Sequence, residues 1–280
     1  MCSGVSYAGS ADAGIIPIRE IGDSMQVISL SVDGIQQAAS RGLFDWIAKQ
    51  SADVICLQDL RANEDQLRSD VFFPEGYHAY FCDTADGRNG VALYTRHLPR
   101  AIITGLGYSE EVDLEGYYIR ADYEQFSVVS VYLPYASMDP QSLEGRMRFM
   151  EQLHGHLQKI SGKRRKYIFC GNWQIAHQKA DVQNWESYMA HPGFLPHERQ
   201  WLNEVYNDLG YVDVMRALSS DRDLYSWWPQ GTVGEGDGWR VDLQIASSEL
   251  VSYAFRAWFN TEARFSSHVP LIVDYDCDLV

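Results

Sequence analysis

Tyr167-Ile168-Phe169-Cys170-Gly171-Asn172-Trp173-Gln174 starts as four apolar, strand-favouring residues, passes through a glycine, and ends on two amides around a tryptophan. A short apolar run closed by turn residues reads as a buried strand. Polar side chains at its exit are the material from which α/β proteins build sites. Outward from this stretch, similar runs recur at 27–30, 54–57, 91–94, 128–133, 241–246 and 271–275, with helical patterns over 35–49, 140–159 and 197–209. Strands outnumber helices, and the helices lie between them. The fold class expected is α/β, a four-layer sandwich of two packed mixed β-sheets flanked by helices.

The chain has 280 residues, 46% of them hydrophobic, with no linker-like tract, so one domain over 25–280 is expected. Residues 1–24 are rich in Ala, Gly, Ser and Ile without period and read as a disordered leader or an upstream start, since Met25 precedes the first strand. Five scattered cysteines without a C-x-x-C pair suggest neither a disulfide framework nor a zinc site, and a reducing, cytoplasmic setting fits. No apolar run reaches the roughly 18 residues of a membrane span.

A net charge of −15 argues against a surface that wraps nucleic acid broadly, because phosphate contacts need clustered Lys and Arg. The dense basic run is Lys163-Arg164-Arg165-Lys166, between the 140–159 helix and the 167–170 strand. It reads either as a solvated helix end that complements the helix dipole or as a contact patch for RNA or an RNA-bound partner.

Polar residues cluster at the strand ends: Ser31 and Asp33, Gln58 and Asp59, Tyr132, Asn172 and Gln174, Asp242, and His268. On these residues the sequence resembles the endonuclease/exonuclease/phosphatase superfamily over 26–276, and its exonuclease III type in particular. Leu57-Gln58-Asp59 is similar to that group's L-Q-E, Gly171-Asn172-Trp173-Gln174 to its G-D-x-N, Val241-Asp242-Leu243 to its I-D-x, and Ser266-Ser267-His268-Val269-Pro270 to its S-D-H-x-P. Tyr225-Ser226-Trp227-Trp228 resembles its F-S-W, whose aromatics border the abasic-sugar pocket.

The resemblance also implies losses. The metal-site Asn falls on Ser31, the Glu on Asp59, the general-base Asp on Asn172, the phosphate-orienting Asn on Gln174, and the Asp beside the catalytic His on Ser267. An amide cannot take a proton from water, and loss of a general base costs ~10²–10⁴ in rate. With Ser at 267, His268 is expected to lack a carboxylate partner. Ser31, Asp59, Tyr132, Asn172, Gln174, Asp242, Ser267 and His268 are therefore expected to form a vestigial site, with no metal held.

Longer stretches, from Cys170 through Trp185 and from Pro270 through Asp276, resemble the catabolite repression control branch of the superfamily. That resemblance implies a non-catalytic co-repressor that joins the RNA chaperone Hfq on A-rich mRNA to block translation, without strong nucleic-acid binding of its own. Lys163, Arg164, Arg165 and Lys166 would then be its RNA or partner contact. The other readings are an active Mg²⁺-dependent exodeoxyribonuclease III-type abasic-site nuclease, which Asp59, Tyr132, Asp242 and His268 support, and a small-molecule phosphatase.

Overall fold

Side-chain alternation along the strands sorts the apolar residues into three layers. In β1 (Met25–Ser31), Val27 enters the layer between two sheets, while Ile28 and Leu30 face outward under helices. The computed structural model describes residues 24–279. The leader expected over 1–24 lies, Ser24 apart, outside the described residues.

One sheet joins β1 to β2 (Val54–Gln58), β3 (His78–Asp83), β4 (Gly90–Thr95), β11 (Ala254–Phe259) and β12 (Leu271–Tyr275), in the order β11-β12-β1-β2-β4-β3. The other contains β5 (Ala101–Thr104), β6 (Tyr118–Asp122), β7 (Phe126–Tyr132), β8 (Lys166–Asn172), β9 (Tyr211–Asp213) and β10 (Asp242–Ser247), in the order β5-β6-β7-β8-β10-β9. Each has one parallel pair, β1/β2 and β7/β8, among antiparallel neighbours, so both sheets are mixed. The expected sandwich is the one formed.

Helices α1 (Ile35–Ser40) and α2 (Leu43–Ile47) cover the first sheet through Ile35, Ala38, Leu43, Phe44 and Ile47. The sequence pattern reads 35–49 as one helix, but Gly42 between them takes φ +86°, a left-handed conformation that breaks it. Beyond the four-residue α3 (Glu110–Asp113), α4 (Pro140–Ser161) and α5 (Pro196–Asn207) cover the second sheet. Asp139 caps α4 by accepting from the Ser142 amide at 2.9 Å, with Pro140 at the first helical position.

At Gly171 of β8 the backbone of the parallel neighbour β7 leaves no room for a side chain. A Cβ there would stand 2.2 Å from the Val131 carbonyl oxygen, so no larger residue fits without moving β7 from β8. Among the described residues, Cys56, Cys82, Cys170 and Cys277 are free thiols. No helix of the described residues is long and apolar enough to cross a membrane.

Candidate active site

The parallel pairs bring the exits of β1, β2, β7 and β8 to one end of the sandwich. The antiparallel partner β10 starts there, since Asp242 pairs with Asn172. The loop before β12 adds Ser266 to His268. All eight residues expected at the site therefore gather at this end. Four non-glycine residues of the loops that leave these strands take left-handed φ: Asp33 (52°), Asp59 (59°), Arg61 (48°) and Gln174 (54°). Such backbone strain persists where surrounding contacts over-determine it, and it concentrates at functional sites.

Asn172 is buried, and both the nitrogen and the oxygen of its amide are hydrogen-bonded. Its Nδ2 donates to Ser31 Oγ across the sheets at 3.2 Å, and its Oδ1 accepts from the Gln174 amide at 3.0 Å. Ser266 Oγ donates to the Ser31 carbonyl at 2.6 Å and accepts from the His268 amide at 3.1 Å, which fixes the loop. Gln174 is placed by its backbone: its carbonyl accepts from Arg146 Nη1 at 3.4 Å, and Arg146 is buried in an ion pair with Glu198 at 2.7 Å. Gln58 lies between the sheets, where Nε2 donates to Ser130 Oγ at 2.9 Å, so it serves packing.

His268 does have a carboxylate, contrary to the expectation that Ser267 leaves it without one. Asp242 Oδ2 lies 2.7 Å from Nδ1 of the ring. Burial alone would lower the imidazole pKa, yet Asp242, helped by Asp33 and Asp59, raises it above its ordinary value and favours the imidazolium. Trp227 stacks on the ring with centroids 6.0 Å apart, and its Nε1 donates to Ser267 Oγ at 3.1 Å. The other Asp242 oxygen, Oδ1, is buried with no hydrogen-bond partner.

Asp33, read from the sequence as a strand-end polar residue though not among the eight, and Arg61, which the sequence reading did not name, complete the constellation. Asp33 Oδ2 accepts from Ser267 N–H at 2.7 Å and from Ser267 Oγ at 2.5 Å. Burial raises the Asp33 carboxyl pKa, but His268, Ser267 and Arg61 outweigh it, and the net shift is downward. Arg61 grips Asp59 in bidentate fashion, Nε to Oδ1 at 3.0 Å and Nη2 to Oδ2 at 2.6 Å. The same Nη2 lies 3.5 Å from Asp33 Oδ1. Burial raises the Asp59 pKa, and Arg61 only partly offsets it. The sequence signals are Asp33-Gly34 directly after a strand and an Arg two residues beyond Asp59. Tyr132, almost wholly buried, is pushed upward by desolvation and then by Asp59.

Two carboxylates thus share one cationic atom. Among the described residues, no group of three or more His, Cys, Asp and Glu is arranged to hold a metal. Mg²⁺ is commonly held by one or two carboxylates together with substrate phosphate oxygens. The point occupied by Arg61 Nη2, between Asp33 and Asp59, fits that description.

The basic run lies elsewhere. Lys166 opens β8 and Asn172 closes it, so Lys163 to Lys166 sit at the opposite end of the strand. Lys166 pairs with Glu249, and Arg165 Nη1 donates to the carbonyls of Tyr123 at 2.9 Å and Phe126 at 3.1 Å. Lys163 and Arg164 are exposed.

Among known proteins, the chain is similar to an exodeoxyribonuclease of Bacillus subtilis (strain 168), 29% identical over 88% of this chain and 98% of that one. It is also 28% identical to Recombination repair protein 1 of Drosophila melanogaster over 90% of its own length, and there it spans 37% of the relative. The solved structure of an AP endonuclease from Archaeoglobus fulgidus superposes with a TM-score of 0.82 at 25% identity, covering 90% of this chain and all of the other. These findings correct the co-repressor reading: the matched proteins are named as nucleases and repair proteins, and none points to the catabolite repression control branch, to Hfq or to translational repression. A profile of the Endonuclease/Exonuclease/phosphatase family matches residues 31–268, and the chain belongs to that family.

Proposed function

We propose that this protein is a metal-dependent DNA nuclease of the abasic-site type whose turnover is held down by Asn172. The observation that carries this reading is the pairing of Asp242 with His268 beside the two carboxylates that converge on Arg61. Together they supply a proton-bearing imidazole and an anionic seat for a cation at one end of the sandwich. The exodeoxyribonuclease and AP endonuclease similarities support DNA as the substrate class.

Asp33 and Asp59 would hold the divalent cation, displacing Arg61, whose half-exposed side chain is free to turn towards a phosphate. When bound, the cation would supply charge stabilisation for the oxygens of the phosphate whose phosphorus is attacked. His268, kept protonated by Asp242, donates from its other ring nitrogen to a non-bridging phosphate oxygen. Trp227 holds that ring flat, and Tyr132 stays a neutral hydroxyl that can donate but not ionise at neutral pH. Asn172 orients groups through Nδ2 but takes no proton, so water must lose its proton to solvent. That omission slows turnover by ~10²–10⁴.

The test is cleavage of a labelled duplex with one abasic site, in Mg²⁺ or Mn²⁺, with an undamaged duplex and a His268→Ala variant in parallel. Slow, metal-dependent cutting of the abasic duplex, lost in the variant, is expected. Identical silence from both proteins beside a working family member would overturn the reading.

A further inference from the structure

The end of the sandwich opposite the nuclease-like site carries a second cluster. Tyr118, Arg120 and Asp122 alternate along β6 and face the helix side, under the last turns of α4. There Arg120, His156, Lys159, Lys163 and Arg165 line one cavity of about 440 Å³. Asp122 is the acid in its wall, and Arg120 already holds it, Nε to Oδ1 at 2.8 Å. The nearby Asp113 is spent on the amides of Leu106 at 2.5 Å and Gly107 at 2.9 Å. The cavity therefore holds four fixed positive charges against one negative, in a chain whose net charge is −15.

The bland alternative is a set of lysines that merely neutralise the C-terminal end of α4. A helix terminus amounts to about half an elementary charge, so one lysine would suffice, and with Arg120 paired to Asp122 a surplus of about two charges is left over. His156 reports the same field from inside the wall. Its ring is pushed down to about 4, by burial first and then by Arg120, Lys159 and Lys163. The ring stays neutral, with Nε2 at 3.3 Å from the Tyr118 hydroxyl, and a neutral ring still has one N–H to donate to a bound oxyanion. Arg165 is anchored through Nη1 to the carbonyls of Tyr123 and Phe126, so its guanidinium is presented without the entropy cost of a free side chain.

We infer that this cavity is a second anion site, built for a phosphate group, on the face away from the catalytic end. Lys159 lies 19 residues beyond Pro140, about 28 Å along the helix, so one phosphate cannot serve both ends. The structure divides the basic run accordingly: Lys163 and Arg165 line the cavity, whereas Lys166 is paired with Glu249 outside it. The inference does not rest on the nuclease reading. The phosphate belongs either to a small free anion or to a nucleic-acid backbone, and the two share the same recognition chemistry.

The experiment is calorimetric titration of the full chain with inorganic pyrophosphate and, separately, with a 5′-phosphorylated oligothymidine. His268→Ala serves as background, and because Arg61 remains at the catalytic end, only binding that the lysine changes weaken is counted. One-to-one binding of pyrophosphate, weakened at least ten-fold by Lys159→Gln with Lys163→Gln, identifies a free-anion site. Binding of the oligothymidine alone, weakened by the same pair, identifies the backbone as the source and also supports the assignment. Both lysines are solvent-facing and hold no backbone carbonyl, so an unchanged thermal midpoint shows that the variant is folded. No binding of either probe, or binding that the double variant leaves unchanged, overturns the inference.

Discussion

Asp33 Oδ2 accepts from both the amide and the hydroxyl of Ser267, at 2.7 and 2.5 Å, so an acid on the β1 loop stands beside the position where the S-D-H-x-P pattern would carry one. The site thus carries a negative charge beside Ser267, and Asp33 contributes to raising the His268 pKa. Asp33→Asn should therefore lower the His268 titration point without unfolding the protein, as followed by imidazole NMR. An unchanged titration would show that Asp33 fixes only the loop.

Asp242 is the larger influence on the same ring. Asp242→Asn removes the direct partner and leaves burial opposed only by Asp33 and Asp59, so the His268 pKa should fall from its raised value. A raised folded-state value means that the pair stabilises the protein fully below the unfolded pKa, and that this stabilisation is lost as pH rises through the folded value. Urea unfolding from pH 6 upwards should show that loss in the natural chain and less of it in Asp242→Asn.

Arg61 holds Asp59 while occupying the seat assigned to the cation. Arg61→Ala should cost about 1–3 kcal/mol in urea unfolding, because a buried carboxylate loses its charged partner. Millimolar Mg²⁺ should then restore stability in this variant more than in the natural chain, since a ligand that binds only the folded state stabilises it. If Mg²⁺ leaves the thermal midpoint of Arg61→Ala unmoved, Asp33 and Asp59 are not the cation ligands.

His156 makes the opposite pH prediction. Its pKa falls from 6.5 to about 4, so its contribution to stability is present above pH 6.5 and is lost as pH falls towards 4. The difference is worth about 3 kcal/mol. His156→Gln should be measurably less acid-sensitive than the natural chain in that window, and equal acid profiles would count against the depressed value.

Arg146 and Glu198 are both buried and face each other at 2.7 Å, and Glu198 Oε2 also accepts from the Gly193 amide at 2.6 Å. Removing one partner leaves a bare buried charge. Arg146→Met should destabilise by about 3–5 kcal/mol and loosen the loop that carries Gln174, whereas the paired change to Met and Leu should recover much of the loss. Chemical denaturation of the three proteins checks this.

Much of the architecture is legible in the sequence because the strands at the centre of both sheets are continuous apolar runs. The edge strands are not. β3 and β11 are mostly half-buried and mix His, Asp and Arg with apolar residues, so their pairing partners define them more than their own pattern does. In the site, identity was readable but pairing was not. Asn172, Ser267 and His268 could be named from motifs, yet only three-dimensional packing shows that Asp242 reaches His268, or that Asp33, 234 residues from Ser267, reaches across to it. Arg61 was hidden for the same reason, since a two-residue separation from Asp59 becomes a bidentate pair only through left-handed backbone at both positions.

Whether the site is a nuclease slowed at one residue is tested most directly by abasic-duplex cleavage by Asn172→Asp against the natural chain in the same Mg²⁺ buffer. The carboxylate restores a proton acceptor next to Ser31, and cleavage should rise by ~10²-fold or more. If Asn172→Asp folds, binds the duplex and still cuts no faster than the natural chain, Asn172 is not what limits turnover, and the account of a nuclease slowed at that residue falls.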